Sequence, residues 1–149
     1  MDSLERSIEI ANIHKTRIEA ARERIQHLFP IKREDIENLS YDDLTWVEFY
    51  TGRFGRLHDL MGCRIFPELL LLYGEEIKDL FFIDRLNKLE RLGIIEDVQD
   101  WLYIRKIRHQ FSHDYPERPE LLANNLNLAY EYGPSLLRCL ARISQKLTA

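Results

Sequence analysis

Proton-transfer and anion-binding side chains crowd into one stretch of this 149-residue chain, Arg105-Lys106-Ile107-Arg108-His109-Gln110-Phe111-Ser112-His113-Asp114-Tyr115, which stops at Pro116. Histidine, with an unperturbed pKa of about 6.5, accepts or donates a proton near neutral pH. Arginine stays charged and offers a fork of donors that fits phosphate. Arg108 and His113 are therefore a candidate pair of anion binder and acid/base group, with Arg105, His109 and Ser112 as candidate contacts beside them. The bland alternative is a helix-end histidine capping carbonyls and an arginine paired with an Asp or Glu.

The element that must carry these groups is a helix running from about Asp97 to His113. At about 100° per residue, Ile104, Ile107 and Phe111 make one apolar stripe and leave Arg105, Arg108, His109 and Ser112 on other faces. Arg108 and His113 are about 140° apart on that cylinder and do not aim at a common atom. A second copy related by a two-fold axis would place an Arg and a His from both chains in each cleft, so a homodimer is expected.

Arg108-x4-His113-x-Tyr115 resembles the Arg-x4-His-x-Tyr motif of HepT-type toxins in the HEPN (higher eukaryotes and prokaryotes nucleotide-binding) superfamily. The similarity runs from Arg53-Phe54-Gly55-Arg56-Leu57-His58-Asp59-Leu60 to the turn at Pro116 and Pro119, about half the chain. The residue after the motif arginine is often Asn in that family and is His109 here. The resemblance implies a HEPN-like helical domain acting as a metal-independent endoribonuclease toxin of a type II toxin-antitoxin system, with transfer RNA a reasonable substrate. It also implies a cognate minimal nucleotidyltransferase antitoxin that transfers AMP to Tyr115, where added bulk and negative charge beside Arg108 would block RNA. An alternative from the same family is a non-catalytic protein that presents nucleotide or substrate to the nucleotidyltransferase. A third reading, a helical interaction module, needs neither Arg108 nor His113, and the separate alternative for Tyr115 is a packing tyrosine bonded to backbone.

The formal net charge of −4 argues against a uniformly basic nucleic-acid surface. Arg105, Lys106 and Arg108 lie within four residues, and Arg53, Arg56 and Arg64 recur at helical spacing, so a local basic cleft on an acidic body is expected. His109 and His113 share a face at i and i+4, but two ligands are not a metal site and no neighbouring residue completes a known pattern. No metal or cofactor is expected. His14, His27 and His58 stand alone and read as surface or groove residues; Cys63 and Cys139, without C-x-x-C spacing, read as buried small hydrophobes.

With 45% hydrophobic and 31% charged residues, the composition fits one globular domain over 1–149. Few Gly and Pro and long 3.6-residue periodicity predict an all-α, up-and-down bundle of about five helices. No run of about 18 uncharged apolar residues predicts a membrane span, and the charged start Met1-Asp2-Ser3-Leu4-Glu5-Arg6 lacks a secretion signal's apolar core, so a cytoplasmic location is expected. The first helix spans Ser3 to Leu28, with Leu4, Ala11, Ile18 and Ile25 at heptad spacing and Ala21 and Leu28 beside them. Ile31 to Leu39 reads as a charged connection. Ser40 then caps a second long helix, with Asp43 reciprocating, and Val47, Tyr50, Phe54, Leu57, Met61 and Ile65 mark its buried side.

Gly52, Gly55 and Gly62 in that helix suggest close approach of another backbone, and Pro67 should kink or break it. Among the aromatics, Trp46, Phe49, Tyr50 and Phe54 read as core, whereas Trp101 and Tyr103 have either a core or a cleft role. A shorter helix is expected over Ile83–Leu92, closed by Gly93, and a last one over Pro119–Lys146, bent at Gly133-Pro134.

Overall fold

In the computed structural model, which describes residues 2–111 and 118–148, every regular element is helical. Helix α1 (Ser3–Ile25) runs into a tight turn at Gln26–Leu28, α2 (Arg33–Glu37) is short, and α3 (Tyr41–Leu60) passes through a widened π turn (Met61–Ile65) into α4 (Phe66–Leu72). Then come α5 (Phe82–Arg91), α6 (Val98–Gln110) and α7 (Pro119–Thr148). The expected helices are α1, α3 with its continuation α4, α5, α6 and α7. The structure adds α2, where a plain connection was expected: Lys32 N–H bonds the Asp35 carboxylate at 2.9 Å and starts a helical turn. Among the described residues, no helix is long and apolar enough to cross a membrane.

Helix α1 lies along α3, and α7 contacts α1, α2, α3 and α6. The buried face of α1 is Leu4, Ser7, Ala11, His14, Ile18, Ala21 and Ile25, a spacing of alternating three and four residues that keeps one stripe inward. Asp2 caps its start by accepting the Leu4 N–H at 3.0 Å. On the α3 side all six expected residues, Val47, Tyr50, Phe54, Leu57, Met61 and Ile65, are buried. Truncating a fully buried member such as Ile18 to Ala would remove about 2–5 kcal/mol of stability. Ser40 does cap α3, its hydroxyl accepting the Asp43 N–H at 3.0 Å, while the Asp43 carboxylate turns to His27 at 3.4 Å.

Pro67 ends neither the chain's course nor its helicity. In the turn before it, the Phe66 N–H reaches back to the Met61 carbonyl, one residue farther than in an α-helix, and such widened turns are where a helix absorbs local disruption. Helix α7 likewise continues through Pro134. Proline gives the Tyr130 carbonyl no N–H, and the Arg22 guanidinium from α1 bonds that carbonyl instead. Arg22 also donates to the Tyr50 hydroxyl at 3.1 Å, which in turn donates to the Ala129 carbonyl at 2.6 Å. Gly133 makes the room: a Cβ there would collide with the Tyr50 hydroxyl and the Arg22 guanidinium. Burial pushes the Tyr50 hydroxyl pKa up to about 12, with Arg22 opposing, so it remains a donor.

Two residue-type expectations are corrected. Cys63 is exposed, although Cys139 is buried and its thiol is pushed up to about 12 by burial. His14 is buried between α1 and α3, where its ring nitrogen Nδ1 lies 3.3 Å from Arg53, whereas His27 stays at the surface.

Candidate functional site

Helix α6 is capped by Asp97, whose carboxylate accepts the Gln99 N–H at 2.8 Å, and it buries Val98, Trp101, Ile104 and Ile107 against the bundle. Phe111, at its C-cap, is half-buried on the same side. With that stripe anchored, Arg105, Lys106 and His109 are exposed and Arg108 is half-buried toward α3. The predicted face division of this helix is the observed one up to Phe111. Ser112, His113 and Tyr115 lie outside the described residues.

Between α6 and the α3 end of the bundle is a cleft of about 580 Å³. Leu102, Arg105, Lys106, Arg108 and His109 form one wall, and His58, Asp59 and Cys63 the other. Among the described lining residues, three basic side chains thus face one carboxylate on a chain of net charge −4. Arg105 is held at the rim by packing over the Phe82 ring, 4.4 Å from its centroid. Arg53, Arg56 and Arg64 are not among the lining residues, so the two basic clusters do not merge. Among the described residues, no group of three His, Cys, Asp or Glu side chains is placed to hold a metal ion.

Arg108 is the best-defined group in the cleft. Its Nε–H donates to Asp59 Oδ1 at 3.3 Å and its Nη2 to Oδ2 at 2.9 Å, a two-pronged pair. The guanidinium rests on Gly55, where a built Cβ would stand 2.6 Å from Cζ. Gly55 therefore admits a side chain, correcting the expectation of a close backbone. Among the described residues, Gly52 has nothing within 4 Å of a built Cβ, and Gly62 meets only the Trp101 ring, at 3.6 Å. Burial opposes the charged form of Asp59, but the bonds from Arg108 and His58 outweigh it and hold the carboxyl below its ordinary value.

His58, read from sequence as an isolated surface or groove residue, is buried at the back of this cleft with only 8% of its surface exposed. Its ring stacks on Trp101 with centroids 5.0 Å apart, and its Nδ1 is 2.9 Å from Asp59 Oδ1. Burial lowers its pKa below the usual histidine value; the Asp59 bond opposes this and the nearby Arg108 and Arg105 reinforce it. Trp101 itself is core, while Tyr103 is exposed against Tyr132. The signal that would have pointed to this wall is the spacing of Gly55 and Asp59, four apart on one helix face, which puts a gap one turn from an acid.

Comparison of the chain with protein families, with curated proteins and with solved structures finds no match.

Proposed function

We propose that this chain is a metal-independent endoribonuclease of the HepT kind, acting in the cytoplasm as the toxin of a toxin-antitoxin pair. The observation that carries the reading is the oriented Arg108 among Arg105 and Lys106 in a cleft of about 580 Å³. Among the described residues its bonds to Asp59 take the Nε–H and one Nη2 hydrogen, and Nη1 and the second Nη2 hydrogen would bind a phosphodiester. In the reaction, the RNA 2′-hydroxyl loses its proton to a base and attacks the adjacent phosphorus. A cyclic phosphate forms as the 5′-oxygen leaves with a proton from an acid. His113 is the proposed acid/base group, and a homodimer would supply a second copy of it. Support for pairing of chains comes from Leu71, Leu72, Phe81, Phe82 and Ile83, which expose large apolar side chains where α4 and α5 adjoin. Tyr115 is the proposed acceptor of AMP from the partner nucleotidyltransferase, its hydroxyl displacing pyrophosphate from ATP.

A second reading draws on the Arg108–Asp59 pair. An arginine already held by a carboxylate suits a fixed nucleotide- or RNA-binding surface that presents its ligand to the nucleotidyltransferase without cutting it. Induced expression of the parent and of His113→Ala, without the partner, separates the two. Growth arrest with cleaved transfer RNA from the parent alone is the expected result. Soluble, dimeric protein that leaves growth and RNA intact in both cases favours the binding reading and sinks the nuclease.

A further inference from the structure

Asp59 is held from two sides. Its Oδ1 receives Arg108 Nε from α6 and faces His58 Nδ1 at 2.9 Å, so one carboxylate oxygen joins an imidazole and a guanidinium. A carboxylate only accepts, which puts the hydrogen of a neutral His58 on Nδ1 and leaves Nε2 a bare lone pair. Among the described residues, that Nε2 is buried without a partner. A buried polar atom with no partner is costly, so packing against Trp101 alone would favour a hydrocarbon at this position. What a hydrocarbon could not supply is the bond to Asp59. The ring is well suited to give it, because stacking on Trp101 fixes its plane and, while neutral, it does not cancel the carboxylate charge that Arg108 needs.

The Asp59 side chain is 49% exposed and that of Arg108 is 29% exposed. An ion pair this wet does not by itself outweigh the rotamer freedom of two side chains. A third contact from a rigid group changes that balance by restricting the carboxylate before Arg108 arrives. We propose that His58 is a positioning residue of the cleft: its Nδ1–H fixes the Asp59 carboxylate and, through it, the direction in which Arg108 presents its remaining donors to a phosphodiester. The role rests on the reading of the cleft as an RNA site, but the orientation of Arg108 can be measured without RNA.

The test compares the full-length protein with His58→Asn, whose amide nitrogen sits near the Nδ1 position and can donate, and with His58→Phe, which keeps the stacking and cannot. His58→Gln, whose amide falls near Nε2 and away from Asp59, replaces the Phe variant if that one does not fold. In ¹⁵N spectra, the Arg108 Nε–H resonance, assigned by its loss in Arg108→Lys, should be shifted and slow to exchange in the parent and in His58→Asn. It should exchange rapidly in His58→Phe. Affinity for a short single-stranded RNA should fall about tenfold in His58→Phe and recover to within about threefold of the parent in His58→Asn. An unprotected Arg108 resonance in the parent, or a folded His58→Phe with parental protection and RNA affinity, overturns the proposal. A resonance that responds as expected in a protein that binds no RNA upholds the positioning and refutes the RNA reading instead.

Discussion

Replacing Gly55 by Ala should separate stability from function in this protein. A glycine inside a helix ordinarily costs about 0.5–1 kcal/mol relative to alanine, so the substitution would normally stabilise. At Gly55 the new Cβ would stand 2.6 Å from Arg108 Cζ, 2.7 Å from Nη1 and 2.8 Å from Nε. Something must move, and the guanidinium, at the end of a flexible side chain, moves more easily than the helix. Restoring ordinary contact requires it to retreat by about 1 Å, which breaks the two-pronged geometry with Asp59, and misplacement on that scale can cost about a hundredfold in rate. The partly exposed ion pair contributes only about 0–1 kcal/mol, similar to the gain in helix propensity. Gly55→Ala should therefore melt within about 4 °C of the parent and, on the proposed ribonuclease reading, cleave RNA about a hundredfold more slowly. Gly52→Ala, with nothing within 4 Å of its Cβ, is the control: it should melt about 2–4 °C higher and leave RNA chemistry unchanged. Thermal melts and RNA cleavage on the two variants decide it. Parental RNA activity in a folded Gly55→Ala would show that Arg108's seat on Gly55 is irrelevant to the cleft.

Stability should fall on acidification below about pH 6.5, because unfolded histidines take up protons there while His58 and His14 resist them. Burial is the first cause in both, reinforced by Arg53 and Arg56 at His14 and by Arg108 and Arg105 at His58, where Asp59 opposes. Both folded pKa values are lowered, so the contribution is complete above the unfolded value and lost as pH falls through the folded ones, at no more than about 1.4 kcal/mol per pH unit for each histidine. Urea unfolding between pH 7.5 and 5 measures this, and a flat profile contradicts it. Around α7, Tyr50→Phe should remove about 1–3 kcal/mol by leaving the Ala129 carbonyl without its hydroxyl donor. Gly133→Ala should destabilise by a similar amount through overpacking despite its better helix propensity, and a raised melting temperature would refute the packing described at that position.

The stripes of α1, α3 and α6 were legible because burial of one helix face imposes a period that the sequence displays. Polar members of those stripes were not. Ser7 and His14 sit on the inward face of α1, and His14 is accommodated by Arg53 from another helix. A pattern of apolar residues cannot announce such a partner. Cys63 shows the opposite error: cysteine is usually buried, but position 63 points away from the stripe through Met61 and Ile65. The cations of the site were legible in Arg105-Lys106-Ile107-Arg108, whereas their counterpart was not, because Asp59 lies 49 residues from Arg108 and only the packing of α3 on α6 brings the two together. Gly52, Gly55 and Gly62 looked alike in sequence and do three different things, since what fills the space of a missing Cβ is decided by the neighbouring element.

The same packing answers the objection raised by the acidic composition. A net charge of −4 describes the far field, which falls off within about 8–10 Å in physiological salt. A phosphate in the cleft would respond to what lines it, and among the described lining residues Arg105, Lys106 and Arg108 outnumber Asp59. Nor does Asp59 simply cancel a cation. It occupies one edge of the guanidinium, through Nε and Nη2, and a phosphodiester can bind the other edge without displacing it. One unit of local charge is thereby exchanged for a fixed direction. On the proposed ribonuclease reading, where charge develops on phosphate oxygens, a donor held in a fixed direction would gain more than an unrestrained cation, because less reorganisation is left to be done as the transition state forms.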